Sequence, residues 1–338
     1  AYSQTSPFDA SPPPENFINW MNNYELGIIA SLGTTQNTET ENKWSRLEAG
    51  TPLSEFRSSL AVEPLLTTIW NQNPYYNDLC PGESVTGCTA TAMAQIMNYW
   101  EYPISGDGSN SYSENDYGLL SANFGATTYN WSNMPDEVNS YNEDVATLMF
   151  HCGVSIEADY GTAESGGTAA SVNGVWYPSV ETALPTYFDY DTEISSEYRE
   201  DYNTQSWIEM LKAELNDARP ILYAGYDNVN GGAGHAFVCD GFDNLDFFHI
   251  NWGWGGYYDG FFLVDALTPD GIGTGGGTGS YNDDQSALIG IMPNNAVLGC
   301  DDSTAENYNP NATNNDGSCV YFCDNNVQLS LQLDCYGE

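Results

Sequence analysis

The spacing of hydrophobic positions predicts helices in the first two thirds of the chain. Residues 88–100, CTATAMAQIMNYW, repeat apolar side chains with the period of an amphipathic α-helix that begins at Cys88. The apolar segments ATLMFHCGVSI and SWIEMLKAEL predict two further helices. In the second of these, Ser206 and Glu209 have the spacing of a capping box, so this helix is predicted to begin with Ser206 as its cap.

Later in the chain the pattern changes to the two-residue period of β-strands. The segments PILYAGYD, HAFVCDGFD, FFHINWG, GFFLVDAL and SALIGIMP are separated by glycine and Asp/Asn turns. Because the helices come first and do not alternate with the strands, the chain is predicted to be an α+β protein. The glycine-rich segment 268–285 predicts a flexible flap beside a cleft, where Gly275 and Gly276 would contact substrate.

The 338 residues can bury a full hydrophobic core and are predicted to form three parts. Residues 1–58 have a loose pattern and form an N-terminal arm. Residues 59–294 carry the dense helix and strand signals of a folded domain. Residues 295–338 are rich in Cys, Asn, Asp and Gly and form a small C-terminal segment.

The net charge of the chain limits the partners that it can bind. Six Lys and Arg residues face 47 Asp and Glu residues, which gives a formal net charge of -41. Such a chain repels nucleic acid and anionic lipid, so neither is expected as a partner. No apolar stretch approaches the roughly 20 residues of a membrane span. These features are typical of the solvated acidic surface of an extracellular protein.

Four of the eight cysteines, Cys300, Cys319, Cys323 and Cys335, lie in the C-terminal segment. Closely spaced cysteines in a small segment without a large core favour a disulfide framework and an oxidising, extracellular compartment. Zinc is the alternative, but this segment contains no histidine. The spacing leaves the disulfide pairing open.

The same segment contains many side chains with hard oxygen atoms, which are the ligands that calcium prefers. A calcium site is therefore predicted here, although the pattern is not a complete EF-hand loop and an ordinary Asx-rich turn is the alternative. The candidate ligands are Asp301, Asp302, Asn307, Asn309, Asn314 and Asp316.

Cys88 is a candidate nucleophile because it begins a predicted helix directly after Gly87, which is expected to leave space for substrate in front of the sulfur. The partial positive charge at a helix N-terminus favours a thiolate, and a nearby imidazolium favours it further. The chain has three histidines, and His235 follows glycines that let a substrate approach, among them Gly234. Its distance along the chain from Cys88 lies in the range of about 130–150 residues noted for papain-like enzymes.

Two more amides complete the candidate constellation. Asn251, in HINWGWGG, can accept the second imidazole N–H and so orient the ring of His235, as the third member of a triad does. Gln72 can donate to an oxyanion together with the backbone N–H of Cys88. Taken alone, Cys88 would be interpreted as an ordinary buried cysteine. Together with these partners it is interpreted as catalytic.

These residues lie in segments that resemble the streptopain family of secreted bacterial cysteine peptidases, which has a divergent papain-like fold. The resemblance covers residues 62–293 and rests on EPLLTTIWNQNPYYNDLCP, TGCTATAMAQIMNYW, GHAFVCDGFD and FFHINWGWGGYYDGFFLVDAL. It implies that Cys88 is the nucleophile, His235 the base and Gln72 an oxyanion donor. It also implies that Asn251 and Trp252 hold and cover the histidine.

The resemblance further implies protein or peptide substrates, no cofactor for catalysis, and a propeptide remnant within residues 1–58. The C-terminal GCDDSTAENYNPNATNNDGSC resembles a repeat found on secreted proteins of marine Bacteroidetes-type bacteria. This second resemblance implies secretion or cell-surface association through a type IX system. Two alternatives stay open: a catalytically silent, calcium-dependent binding module on a peptidase scaffold, and another acyl transfer such as transglutamination.

Overall fold

The computed structural model divides into two compact units, residues 1–57 and 58–338. The described part of the chain comprises residues 60–162, 167–174, 178–228, 233–269, 279–300, 302–315 and 318–320, all in the second unit. The predicted N-terminal arm and propeptide remnant, and Gly275 and Gly276 of the predicted flap, lie outside the described residues, as do Asp301 and Asp316.

Four α-helices form in the described ranges. The helix that carries Cys88 has the predicted bounds, and the next begins three residues before the predicted segment because Asn142 caps it and accepts the N–H of Val145. None of these helices is long and apolar enough to span a bilayer. The helices are α1 (Cys88–Trp100), α2 (Glu143–Ser155), α3 (Val180–Tyr187) and α4 (Thr204–Asn216).

The predicted start of α4 is wrong. The side chain of Asn203 accepts the N–H of Ser206 at 3.0 Å, so Asn203 is the cap and the helix begins at Thr204. Asparagine is as good a cap as serine, and the upstream position adds three residues to the helix. Glu209 does not close a capping box but accepts a hydrogen bond from Gln205, one turn earlier, at 2.9 Å.

The strands form one large antiparallel sheet in the order β4-β9-β5-β6-β7-β8, with β1 also paired to β6. Separately, β2 and β3 form a hairpin, and β10 and β11 form a short parallel pair. The strands are β1 (Leu60–Val62), β2 (Asn110–Glu114), β3 (Gly118–Ala122), β4 (Ser195–Tyr198), β5 (Ile221–Asp227), β6 (Ala233–Asp243), β7 (Phe248–Asn251), β8 (Gly260–Phe262), β9 (Asp283–Ile289), β10 (Leu298–Gly299) and β11 (Asn314–Asn315).

Both faces of the central strands are buried, which explains their nearly continuous apolar sequences. On one face, Leu222 and Val238 pack into the core that contains α1 and α2. On the other face, Tyr223 and Phe237 pack into a second core that contains Trp207 of α4. The alternation of side chains along β5 and β6 divides them between the two cores. This arrangement confirms the predicted α+β class.

The C-terminal segment contains a disulfide between Cys300 and Cys319, which confirms the disulfide prediction for this pair. Cys323 and Cys335 lie outside the described residues. Among the described residues there is no group of three or more His, Cys, Asp or Glu side chains arranged to hold a metal ion.

The candidate calcium ligands that can be described take part in hydrogen bonds of the loop. Asp302 Oδ1 accepts the N–H of Thr304 at 2.8 Å, and Asn307 Oδ1 accepts the N–H of Val320 at 2.7 Å. Asn309 Oδ1 accepts the N–H of residue 311 at 3.0 Å. These are bonds typical of Asx turns. The side chain of Asn314 is outside the described part, and the calcium site stays a prediction.

His151 on α2 provides a test of the first core. Burial lowers the pKa of His151 to about 4, and the hydroxyl of Tyr129 lies 2.9 Å from its Nδ1. The unfolded chain therefore binds this proton first as pH falls below the ordinary pKa of about 6.5. We expect the unfolding free energy to lose about 3 kcal/mol from this group between pH 6.5 and 4, and His151→Gln to remove that loss.

Urea unfolding at a series of pH values measures this difference. Tyr129→Phe is the control, since it removes the hydroxyl but keeps the imidazole of His151 buried, and its pH dependence should match that of the unmodified protein. Equal pH dependence in the unmodified protein and in His151→Gln would contradict the expectation.

Candidate active site

The N-terminus of α1 is built around Gly87, which precedes the first helical residue, Cys88. Gly87 has a φ of 87°, a conformation that other residues rarely adopt. A Cβ at this position would lie 2.9 Å from the carbonyl oxygen of Thr168. Gly87 is buried, so its role is to let the chain turn into the helix beneath Thr168. Gly87 does not line the cavity onto which Cys88 opens, although it was expected to leave space there for substrate.

Cys88 opens onto a cavity of about 550 Å³. Gln72, Gly234 and His235 line the same cavity, so groups that are far apart in the sequence converge on one cleft. Gly234 is required for close packing, because a Cβ there would lie 2.7 Å from the ring of Tyr226. Of the residues predicted to face substrate, Gly234 therefore lies at the cleft, while Gly275 and Gly276 are outside the described residues.

His235 lies on β6 and is buried beneath aromatic rings. Its ring centroid is 4.7 Å from that of Trp254 and 5.1 Å from that of Tyr281. Trp252 was expected to cover the histidine, but its ring is farther away, at 6.1 Å. The nearer cover is Trp254, from the same HINWGWGG segment, and the sequence had not distinguished the two.

The partner of the imidazole differs from the prediction. Nε2 of His235 lies 2.8 Å from the backbone carbonyl oxygen of Trp252, which accepts its hydrogen bond. The amide of Asn251 points instead toward α1, where its Oδ1 accepts from Gln95 at 3.1 Å. Its Nδ2 donates to the carbonyl of Thr68 at 2.7 Å. The backbone carbonyl next to Asn251, and not the Asn251 side chain, therefore contacts the ring directly.

Gln72 is held beside α1 by the segment that precedes the helix. Its backbone carbonyl accepts the N–H of Thr86 at 3.3 Å, and its side chain is 1% exposed. Thr86 lies two residues before Cys88, so the chain that follows Gln72 returns to the start of the helix. This loop places the amide at the cleft.

Comparison with known proteins now identifies the chain. A model of the peptidase C10 family matches residues 70–262. Streptopain of Streptococcus pyogenes is 35% identical over 86% of this chain and 74% of its own length. The chain belongs to the peptidase C10 family. It is therefore a cysteine-type peptidase, and the predicted resemblance is confirmed. The thiol protease/hemagglutinin PrtT of Porphyromonas gingivalis is 34% identical over 86% of this chain, which spans 34% of the length of PrtT.

Two solved structures support the same assignment at the level of the fold. The active wild-type interpain A cysteine protease of Prevotella intermedia is 37% identical with a TM-score of 0.59, covering 68% of this chain and 96% of that protein. A prointerpain A fragment from the same organism is 32% identical with a TM-score of 0.56, covering 83% of this chain and 85% of the fragment. These likenesses confirm the divergent papain-like fold.

In the cleft of this C10 peptidase, burial acts against the thiolate that was predicted for Cys88. Burial raises the pKa of the Cys88 thiol, although hydrogen bonds from the backbone of Ala236 and from Thr89 act in the opposite direction. Burial also lowers the pKa of His235 to about 4, against a smaller opposing effect of the Trp252 carbonyl. Both shifts disfavour the charged form, and we therefore predict a neutral thiol and a neutral imidazole at rest.

Asp259 was not predicted from the sequence, and its carboxylate holds the backbone of the residue that contacts His235. Asp259 Oδ1 accepts the backbone N–H of Trp252 at 2.8 Å, and burial raises the pKa of Asp259 to about 6. Nearby, Nδ1 of His249 lies 2.6 Å from Asp240 Oδ1. Asp259 belongs to the motif GYYDGFF, but no local spacing rule connects an aspartate to a backbone amide seven residues earlier.

The neutral resting pair can be tested by alkylation of Cys88. Because the thiolate is the reactive form, we expect the rate constant with iodoacetamide to keep rising with pH through the ordinary cysteine pKa of about 8.5. Peptide mass mapping separates Cys88 from the other free cysteines of the described ranges, Cys80, Cys152 and Cys239.

His235→Gln is the matched variant for this measurement and should leave the shape of the pH profile unchanged. An alkylation rate constant that already reaches a plateau near about pH 5 would instead indicate a thiolate–imidazolium pair, provided that the plateau disappears in His235→Gln.

Proposed function

We propose that this C10 peptidase is a secreted endopeptidase that cleaves proteins through Cys88 and His235. The observation that carries the proposal is the position of the two residues: both line one cavity, and the backbone of Ala236, next to His235, lies close enough to Cys88 to affect the pKa of its thiol. A nucleophile and a base at one cleft are the minimum set for acyl transfer.

Cys88 attacks the scissile carbonyl carbon, and its thiol proton moves to His235 as the sulfur–carbon bond forms. The imidazolium then donates that proton to the amine as the carbon–nitrogen bond breaks. His235 next takes a proton from water, whose oxygen attacks the acyl-enzyme carbonyl. As the sulfur–carbon bond breaks, the acid leaves and the imidazolium returns the proton to the Cys88 sulfur. A neutral imidazole suits this role, because it can accept the first proton.

Two donors are proposed for the oxyanion. The backbone N–H of Cys88 is at the first position of α1, where helical N–H groups have no partner within the helix. The side-chain amide of Gln72 lines the cavity beside it. One such donor contributes about 3–4 kcal/mol to transition-state stabilisation when its hydrogen bond forms only there.

The cleft fits a peptide chain better than a small charged ligand. Residues 168–173 line one part, and their side chains are small or uncharged. Asp284 also lines the cavity, and the formal net charge of the chain is -41. Both features oppose binding of strongly acidic substrates. Protein and peptide substrates are therefore proposed, with neutral or basic residues near the cut.

Secretion is proposed from two features. The Cys300–Cys319 disulfide suits an oxidising compartment, and the acidic surface suits an extracellular one. The prointerpain fragment covers 83% of this chain, compared with 68% for the active enzyme, which supports a prosegment remnant within residues 1–58. Type IX secretion, cell-surface association and calcium binding by the C-terminal segment stay predictions.

The alternative of a silent binding module is not favoured. The relatives in the family are named as proteases, and both candidate reacting groups line one cleft. No observation points to crosslinking rather than hydrolysis.

Casein cleavage tests the proposed activity. We expect the purified chain, with thiol present, to degrade casein, and an epoxide inhibitor of cysteine peptidases to stop it. Cys88→Ala should lose the activity entirely, because no sulfur remains to form the acyl-enzyme. Cys80→Ala is the matched control, since Cys80 is a free, half-buried thiol that does not line the cavity, and it should stay active. Equal cleavage by Cys88→Ala and the unmodified chain would reject the proposal.

Gln72→Glu tests the oxyanion donor with little change in shape. We expect kcat to fall about 10²–10³-fold with a much smaller change in KM, because the lost N–H acts mainly in the transition state. Gln205→Glu, an exposed glutamine on α4, is the control and should be unaffected. Steady-state kinetics on a peptide substrate measure both constants, and an unchanged kcat in Gln72→Glu would exclude this role.

A further inference from the structure

One buried glutamine joins the three segments that carry the candidate catalytic groups. Gln95 lies on α1, two turns after Cys88, and its side chain is 0% exposed. It does not line the cavity and cannot touch a substrate. Its hydrogen bonds nevertheless reach the segment before Gln72 and the segment that orients His235.

The oxygen of Gln95 holds the first of these segments. Oε1 accepts the hydroxyl of Thr68 at 3.0 Å and the backbone N–H of Trp70 at 3.0 Å. Trp70 is two residues before Gln72, so these bonds fix the chain that delivers the proposed oxyanion donor. Removing them would leave a buried backbone N–H without its acceptor.

The amide of Gln95 also forms a reciprocal pair with Asn251. Nε2 of Gln95 donates to Oδ1 of Asn251 at 3.1 Å, and Nδ2 of Asn251 lies 3.2 Å from Oε1 of Gln95. Donor and acceptor are both required on each side, so only a primary amide satisfies the pair. It connects the cysteine helix to the end of β7, across 156 positions of the chain.

From Asn251 the contact continues to the histidine through one peptide unit. Oδ1 of Asn251 accepts the N–H of Gly253 at 3.0 Å. The same peptide unit ends in the Trp252 carbonyl, which accepts the hydrogen bond from Nε2 of His235 at 2.8 Å. Because hydrogen bonds in a dry interior polarise one another, the bond at one end strengthens the bond at the other.

We propose that Gln95 is a positioning residue that sets the placement of His235 and Gln72 relative to Cys88, acting through Asn251 and the peptide between residues 252 and 253. The proposal rests on the proposed function, because it needs those three groups to be the reacting ones. It also explains the use of Asn251: its side chain orients the imidazole indirectly, through the backbone of the next two residues.

Gln95→Met tests this role by replacing the amide with an apolar side chain of similar length. We expect kcat for a peptide substrate to fall about 10–100-fold while KM changes less than about twofold, because a misplacement of about 1 Å affects the reacting geometry more than binding. Tyr129→Phe is the matched control: it removes one buried hydrogen bond, to His151, that is not part of the contacts made by Gln95 and Asn251, and it should keep kcat.

A double-mutant cycle distinguishes this role from general loss of stability. If Gln95 acts through Asn251, then Gln95→Met combined with Asn251→Leu should lower kcat little more than the more damaging single change. Gln95→Met combined with Tyr129→Phe should show independent effects. Multiplication of the effects of Gln95→Met and Asn251→Leu, or a kcat for Gln95→Met within threefold of the unmodified chain (about 0.6 kcal/mol), would overturn the proposal.

A second variant covers the case in which Gln95→Met does not fold, and a comparison with Cys88→Ala separates this inference from the proposed function. If Gln95→Met does not fold, Gln95→Glu keeps the shape and removes the donor to Asn251, and the same loss of kcat is expected. An unmodified chain with no activity beyond that of Cys88→Ala would contradict the proposed function and this inference together. An active chain with an unchanged Gln95→Glu contradicts this inference alone.

Discussion

The contact between the start of helix α1 and strand β6 is the constraint on which the rest of the site depends. The backbone of Ala236 lies close enough to Cys88 to affect the pKa of its thiol, and His235, the residue before Ala236, lines the same cleft. Elsewhere at the start of the helix, Thr168 is so close that Gly87 cannot carry a side chain. A helix that began one residue later would put a different side chain at the cleft, so the local turn and the catalytic position are determined together.

Burial has two consequences at this contact. It disfavours charge on both Cys88 and His235, which is the basis for predicting a neutral pair at rest. It also requires every polar group behind the pair to find a partner, since an unpaired polar group in the interior is costly. Gln95 and Asn251 meet this requirement for each other and for Thr68, and the peptide after Trp252 meets it for His235.

Asn251 shows which part of the site could not be predicted from the sequence. The residue lies in the segment HINWGWGG, whose backbone contacts His235. Its predicted bond to His235 is made by the neighbouring carbonyl, because the side chain at the end of β7 points toward Gln95. The start of α4 is a smaller example, where Asn203 and Ser206 were both acceptable caps and only the backbone path chose between them.

Period, chain order and residue type by themselves determined much of this protein: helices before strands, a cysteine at the first turn of α1, and a set of Cys, His and amide residues suited to acyl transfer. These properties are local, since each follows from residues within a few turns or one strand. Only the tertiary structure decided which atom contacts the imidazole, how deeply Cys88 and His235 are buried, and that Gln95 connects the segments. Those outcomes depend on distances and burial between parts of the chain that are remote in sequence, and no local period contains that information.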